Sequence, residues 1–161
     1  MDAITLLRAQ HDEVEDLFEE YESAESRTSR RAIFNRLADA IAAHATIEEK
    51  LFYPAVCLGE VEDLLKEAAE GHLAARRILA DLLDLQPPDG NFDAKVKVLQ
   101  EQLSHHAEEE EDELFPIVRV SLSRPALEAL GEAMGQMFEE LMKGTPRDRV
   151  RDETDHAAQL N

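Results

Sequence analysis

"HAEEEEDELFP" (residues 106–116) repeats the frame of "HATIEEKLFYP" (residues 44–54). Both run from His to Pro in ten steps, both place Glu four residues after the His, and both bring an aromatic residue against the proline. Four residues is just over one helical turn, so each His and its Glu share a face. The segment beginning at 106 sits in an acid run that also holds His105 and Glu109 at the same spacing. The repeat selects His106 and Glu110. His105, Glu108, Glu109, Glu111 and Asp112 then form a solvated face, while Glu113, three beyond Glu110, fits either face.

Working outward, apolar residues recur at steps of three and four in five stretches divided by short breaker-rich joints. The first, 3 to 22, carries Ile4, Leu7, His11, Val14 and Tyr21. The second, 30 to 53, carries Ile33, Leu37, Ile41, His44 and Glu48, with Thr28 or Ser29 as N-cap and a stop near Pro54. The third, 61 to 85, carries Leu65, Ala68, His72, Ala75 and Leu79, and ends at the Pro-Pro-Asp-Gly-Asn turn of 87 to 91. The fourth, 92 to 120, carries Val96, Leu99, Leu103, His106, Glu110 and Leu114. Ser123 and Pro125 open a fifth, 124 to 143, with Leu127, Leu130, Met134 and Leu141 in phase. The expected architecture is all-α: an up-down-up-down four-helix bundle over 1 to 120, a helix laid across it, and a flexible tail over 145 to 161.

The His-to-Glu spacing is weak evidence alone, because 36 acidic residues generate it readily by chance: His11 and His105 also have Glu four residues on. Phase is stronger. His11, His44, His72 and His106 each take a place where a different helix's stripe asks for Leu or Ile, and Glu48 and Glu110 continue their stripes. Glu15 and Glu109 fall off the line. Four imidazoles and two carboxylates in one core cost several kcal/mol for each uncompensated group, and a cation is the economical compensation.

Depth agrees with phase. In an up-down bundle, residues equally far from a turn meet in one layer, at about 1.5 Å per residue. From a turn near 26, His11 lies 15 positions back and His44 lies 18 forward; from one near 58, His44 and His72 each lie 14 away; from one near 89, His72 and His106 each lie 17 away. The mismatches stay within about one turn, roughly 5 Å.

Composition narrows the alternatives. With 161 residues the chain suits one domain, and 5% aromatics without Trp favour helices. A net charge of −19 argues against phosphate backbones and anionic membranes as partners. One cysteine, Cys57, precludes an internal disulfide and fits a reducing cytoplasm; its neighbours read it as a small buried side chain. No apolar run has the length of a membrane span. Tyr21 and Tyr53 are candidates for hydrogen bonds behind metal ligands, with core packing as the plainer role.

Taken together, "LLRAQHDEVEDLF", "HATIEEKLFYP", "EGHLAARRIL" and "HAEEEEDELFP" resemble the hemerythrin-like, or HHE cation-binding, family, over residues 1 to about 120. Imidazole and carboxylate donors without thiolate suit iron, manganese or zinc; the resemblance tilts the choice to two non-haem irons bridged by Glu48 and Glu110. His11 and His44 then most simply serve one ion, His72 and His106 the other. Oxygen-carrying members have a further histidine four residues after the third-helix histidine; Arg76 stands there, as a surface ion pair or as a guide for an anionic ligand. The resemblance therefore implies chemistry on peroxide, dioxygen or another diatomic, such as catalase-like decomposition or redox sensing, above reversible transport. An iron-sensing module with structural metal and a metal-free acidic interaction bundle are the alternatives.

Overall fold

The computed structural model describes residues 1–57, 59–85 and 90–160, and every regular element among them is helical. Helix α1 (Ala3–Ser23) starts where the Asp2 carboxylate accepts from the Thr5 N–H at 2.8 Å. Helix α2 (Arg27–Ile47) begins earlier than its stripe suggests because Ser26, not Thr28 or Ser29, caps it, accepting from the Ser29 N–H at 3.1 Å. Helices α4 (Glu62–Asp84) and α5 (Gly90–Glu109) complete the bundle. Residues 87–89 of the expected proline turn lie outside the described residues.

Pro54 does not stop the second helix. A π turn, Glu48–Phe52, leads into the short helix α3 (Tyr53–Val56), and the twin segment repeats this with a π turn at Glu110–Leu114 and helix α6 (Phe115–Ser121). Proline offers no N–H and its ring crowds the carbonyl four residues back. In the wider turns, the Tyr53 N–H donates to the Glu48 carbonyl and the Phe115 N–H to the Glu110 carbonyl, five residues back. Each turn thus opens on a glutamate and closes on an aromatic, Tyr53 or Phe115.

Ser123 caps helix α7 (Arg124–Lys143), which packs along α1, α2 and the first π turn. Gly131 permits this contact, since a Cβ there would lie 2.6 Å from the Asp2 carbonyl carbon and 2.7 Å from the Ala3 nitrogen. The expected flexible tail is instead largely docked. Residues Pro146–Glu153 form a 3-10 helix with Val150 buried, Arg147 bonded to Asp39 at 2.6 Å, and Arg151 to Asp84 at 2.7 Å. The mixed charges there read as solvated, but these arginines meet acids of α2 and α4, and Val150 supplies an apolar anchor. His156 is exposed.

The core divides into two. One apolar cluster gathers Leu17, Phe18, Phe34, Leu37, Leu79, Leu82, Phe92 and Leu99; the other gathers Ile4, Leu7, Ile47, Phe52, Leu65, Leu114, Phe115, Val118 and Met134. A polar layer lies between them. No helix among the described residues is long and apolar enough to cross a membrane.

Candidate metal centre

The layer between the two clusters holds all six residues singled out by phase. His44, Glu48, His72, His106 and Glu110 are buried, and the His11 side chain is 10% exposed. Their donor atoms fall into two groups, His11, His44 and Glu110 in one, Glu48, His72 and His106 in the other, with the donors of each group within 4.8 Å of one another. The carboxylates join the groups. Glu110 Oε1 lies 3.3 Å from His11 Nε2 and 3.0 Å from His106 Nε2; Glu48 Oε1 lies 3.0 Å from His44 Nε2 and 3.1 Å from His72 Nε2.

Every imidazole turns Nε2 inward. Behind three of them Nδ1 is held: His44 by the Gln10 Oε1 at 2.7 Å, His11 by Glu111 at 3.0 Å, and His72 by Glu49 at 2.9 Å. A carboxylate or amide oxygen at Nδ1 fixes the proton there and leaves the Nε2 lone pair for an ion. His106 differs, because Gly71 occupies the place equivalent to Gln10, 3.4 Å from His106 Nδ1 to where a Cβ would stand. The π turns add aromatic covers: Phe115 stacks on His11 with ring centroids 6.1 Å apart, and Tyr53 on His72 at 5.6 Å.

Tyr53 does more than pack. Its hydroxyl donates to Glu110 Oε2 at 3.0 Å and stands 3.4 Å from the Nε2 atoms of both His72 and His106. Tyr21 lies away from the layer and donates to Asp93 at 2.7 Å. Arg76 is not a surface ion pair: it is 5% exposed and grips both oxygens of Glu49 at 2.7 and 2.8 Å. His105 remains outside, 67% exposed and paired with Glu109 on its own helix, and Glu113 is exposed.

Gln10, Glu49 and Glu111 were not singled out from the chain. Glu49 and Glu111 carried a signal, since each stands five residues after the His of its repeat. Glu111 looked solvated as part of an acid run, yet its carboxylate turns back onto His11.

The electrostatics express mutual need. Burial opposes the charged imidazole of His106, but Glu110 and Glu48 outweigh it and hold its pKa well above the usual range; His72 is raised against burial by Glu48 and Glu49, and His11 against burial by Glu110. Glu48, despite the burial that favours its neutral form, is held well below the carboxylate range by His44 and by hydrogen bonding to Glu110 and His106. Burial and the carboxylates of Glu110 and Glu48 push the Tyr53 phenol up. His11, His72 and His106 are the groups whose extra protons a cation would displace, while Glu48 is already ionised to receive it.

The donor set fits such an ion. Close as they stand to opposing donors, His11 Nε2, His44 Nε2, Glu48 Oε2 and Glu110 Oε1 are buried without a well-aligned hydrogen bond among the described residues; of the five atoms so placed, only Asn35 Oδ1 is not from these ligand candidates. Buried polar atoms are rarely left so, and four together at the focus of four helices mark a place built for cations. A cavity of about 180 Å³ adjoins it, touching all four histidines and walled by Val14, Phe18, Ile41, Leu79 and Leu103.

Comparison with known proteins bears on the fold and the family. A solved structure of a hemerythrin HHE cation-binding domain-containing protein from Mycobacterium kansasii superposes with a TM-score of 0.80 at 25% identity, covering 96% of this chain and 94% of that one. The likeness thus extends beyond the bundle to the fifth helix. A protein from Nostoc sp. (strain PCC 7120) named as a DNA nickase is 27% identical over 122 residues; these are 73% of this chain, which spans only 34% of that protein. The family model for the hemerythrin HHE cation-binding domain matches residues 2–118, and the chain belongs to that family.

Proposed function

We propose that this chain is a non-haem diiron protein acting on peroxide or dioxygen in a reducing cytoplasm. The observation that carries the reading is the inward convergence of four Nε2 atoms with two carboxylates that each approach histidines of both groups. His11 and His44 would hold one ion, His72 and His106 the other, and Glu48 and Glu110 would lie between them. Nitrogen and oxygen donors without thiolate suit iron, manganese or zinc, and membership of the hemerythrin HHE family tilts the choice to iron. Two such irons, when bound, supply the electron exchange that peroxide decomposition requires.

The protein's own part is to position and to protect. Gln10, Glu49 and Glu111 keep three histidines in the ligand-ready tautomer. Tyr53 holds a proton at Glu110 Oε2, beside the Nε2 atoms of His72 and His106, and so fixes the position of that carboxylate. The cavity admits a small guest against apolar walls. Nicking activity is not carried over from the Nostoc relative, since a net charge of −19 works against a phosphate backbone.

The test is iron reconstitution followed by metal analysis, an absorption spectrum in air, and oxygen release on adding peroxide. Two irons per chain, a near-ultraviolet oxo-bridged band and catalytic oxygen release are expected. Iron well below one per chain without that band would overturn the reading.

A further inference from the structure

We propose that the docked segment Pro146–Glu153 is a latch for one of the two metal positions, so that the ion at Glu48, His72 and His106 leaves more slowly than the ion at His11, His44 and Glu110. This rests on the two-metal reading above. A continuous set of contacts carries it. Glu153 meets the Arg76 guanidinium at 3.3 Å, Arg76 grips both Glu49 oxygens at 2.7 and 2.8 Å, Glu49 holds His72 Nδ1 at 2.9 Å, and His72 Nε2 faces Glu48 at 3.1 Å. The segment that supplies Glu153 is itself fixed by buried Val150 and by Arg147 on Asp39. Just beyond it, Arg77 donates to the Thr154 carbonyl at 3.0 Å.

In the other half of the site the carboxylate behind the histidine has no latch. Glu111 stands behind His11 as Glu49 stands behind His72, but its side chain is 29% exposed and its cation, Arg8, is 3.9 Å away and 49% exposed. The side chains of Arg76 and Glu49 are 6% and 9% exposed. Solvent screens the first pair and not the second. Phe115 covers His11 with no polar atom, whereas Tyr53 brings a hydroxyl to His72 and His106.

Release of an ion requires a ligand to swing away from it. His72 can swing only by parting from Glu49, whose two oxygens are held by a buried arginine that the tail holds in turn; His11 has only to leave a carboxylate that is partly exposed to solvent. Arg76, Glu49 and Glu153 are thus positioning residues that act through His72.

The experiment loads the full chain anaerobically with ferrous iron and follows its transfer to an excess of a ferrous-specific chelator by stopped flow. Two phases of equal amplitude are expected. Glu153→Ala and Arg76→Lys should quicken the slow phase by about 10-fold or more, the scale of losing the carboxylate support behind a metal-binding histidine, and leave the fast phase within about 2-fold. Gln10→Ala, which frees His44, should quicken only the fast phase. A single release phase, a slow phase indifferent to both latch variants, or equal quickening of both phases would overturn the latch. If Arg76→Lys fails to fold, Glu153→Ala, at a partly exposed side chain, carries the test. Wild-type protein that binds no stoichiometric iron would instead sink the two-metal reading itself.

Discussion

Replacing His72 and His105 by alanine, one at a time, sets an inward histidine against an outward one of the same chemistry. His72 is 3% exposed and touches two carboxylates, Glu48 at 3.1 Å and Glu49 at 2.9 Å. Breaking a buried charged contact by removing one partner costs about 3–5 kcal/mol. For a chain of this size each kcal/mol moves Tm by about 2–4 °C, so iron-free His72→Ala should melt roughly 6–20 °C below wild type. His105, 67% exposed, has only Glu109 on its own helix. Losing that pair costs at most about 1 kcal/mol, and alanine's better helix propensity returns about half of it. Its Tm should stay within about 2 °C of wild type. Metal content should follow the same division: one iron or fewer per chain in His72→Ala, two in His105→Ala. Scanning calorimetry with chelator and metal analysis after reconstitution measure the two quantities. If His72→Ala kept two irons and the wild-type melting point, or His105→Ala lost as much as His72→Ala, the inward reading of His72 would be refuted.

The charged layer also predicts a pH dependence for the iron-free protein. The stabilisation from His11, His72 and His106, all raised above 6.5, is complete below that value and is lost as pH rises through their folded pKa values; that from Glu48 and Glu49, lowered from 4.5, is present above 4.5 and lost as pH falls through theirs. Melting points should therefore be highest between these two values and decline above neutrality, while iron affinity, which needs neutral imidazoles, rises with pH; a flat melting profile from about pH 5.5 to 8.5 would contradict this. On α7, two glycines should respond in opposite directions. Gly131→Ala forces a Cβ into the backbone at the start of α1 and should cost about 1–3 kcal/mol, whereas Gly135→Ala, with nothing within 4 Å, should stabilise by about 0.5–1 kcal/mol in chemical denaturation. Equal effects would show that α7 does not pack against the start of α1 as described.

The bundle and its inner layer were legible because both rest on periodicity. Histidines at His11, His44, His72 and His106 interrupt apolar stripes, and equal distances from the turns bring them level. The supporting residues were harder to read, since a glutamate that turns inward through its long side chain looks identical in sequence to one that points to water. Glu111 sits in a run of acids, and only the helix crossing opposite shows that it meets His11. Arg76 and the tail escaped for a related reason: a basic residue in an acidic chain reads as a surface partner, and nothing local to residues 146 to 153 reveals that acids 60 to more than 100 positions away wait for them. The π turns were hidden because a proline after a long helix signals a stop, whereas here the helix widens and carries on.

That widening ties together two things that an ordinary helix would keep separate. Because Glu48 and Tyr53 open and close one loop of backbone, as do Glu110 and Phe115, the place of a donor carboxylate is tied through the main chain to that of a ring roofing an imidazole. Deleting any one residue between them would tighten the coil and swing the roof aside along with everything toward the proline. The chain therefore tolerates side-chain exchange on the outer surface of these two turns far better than any change in their length.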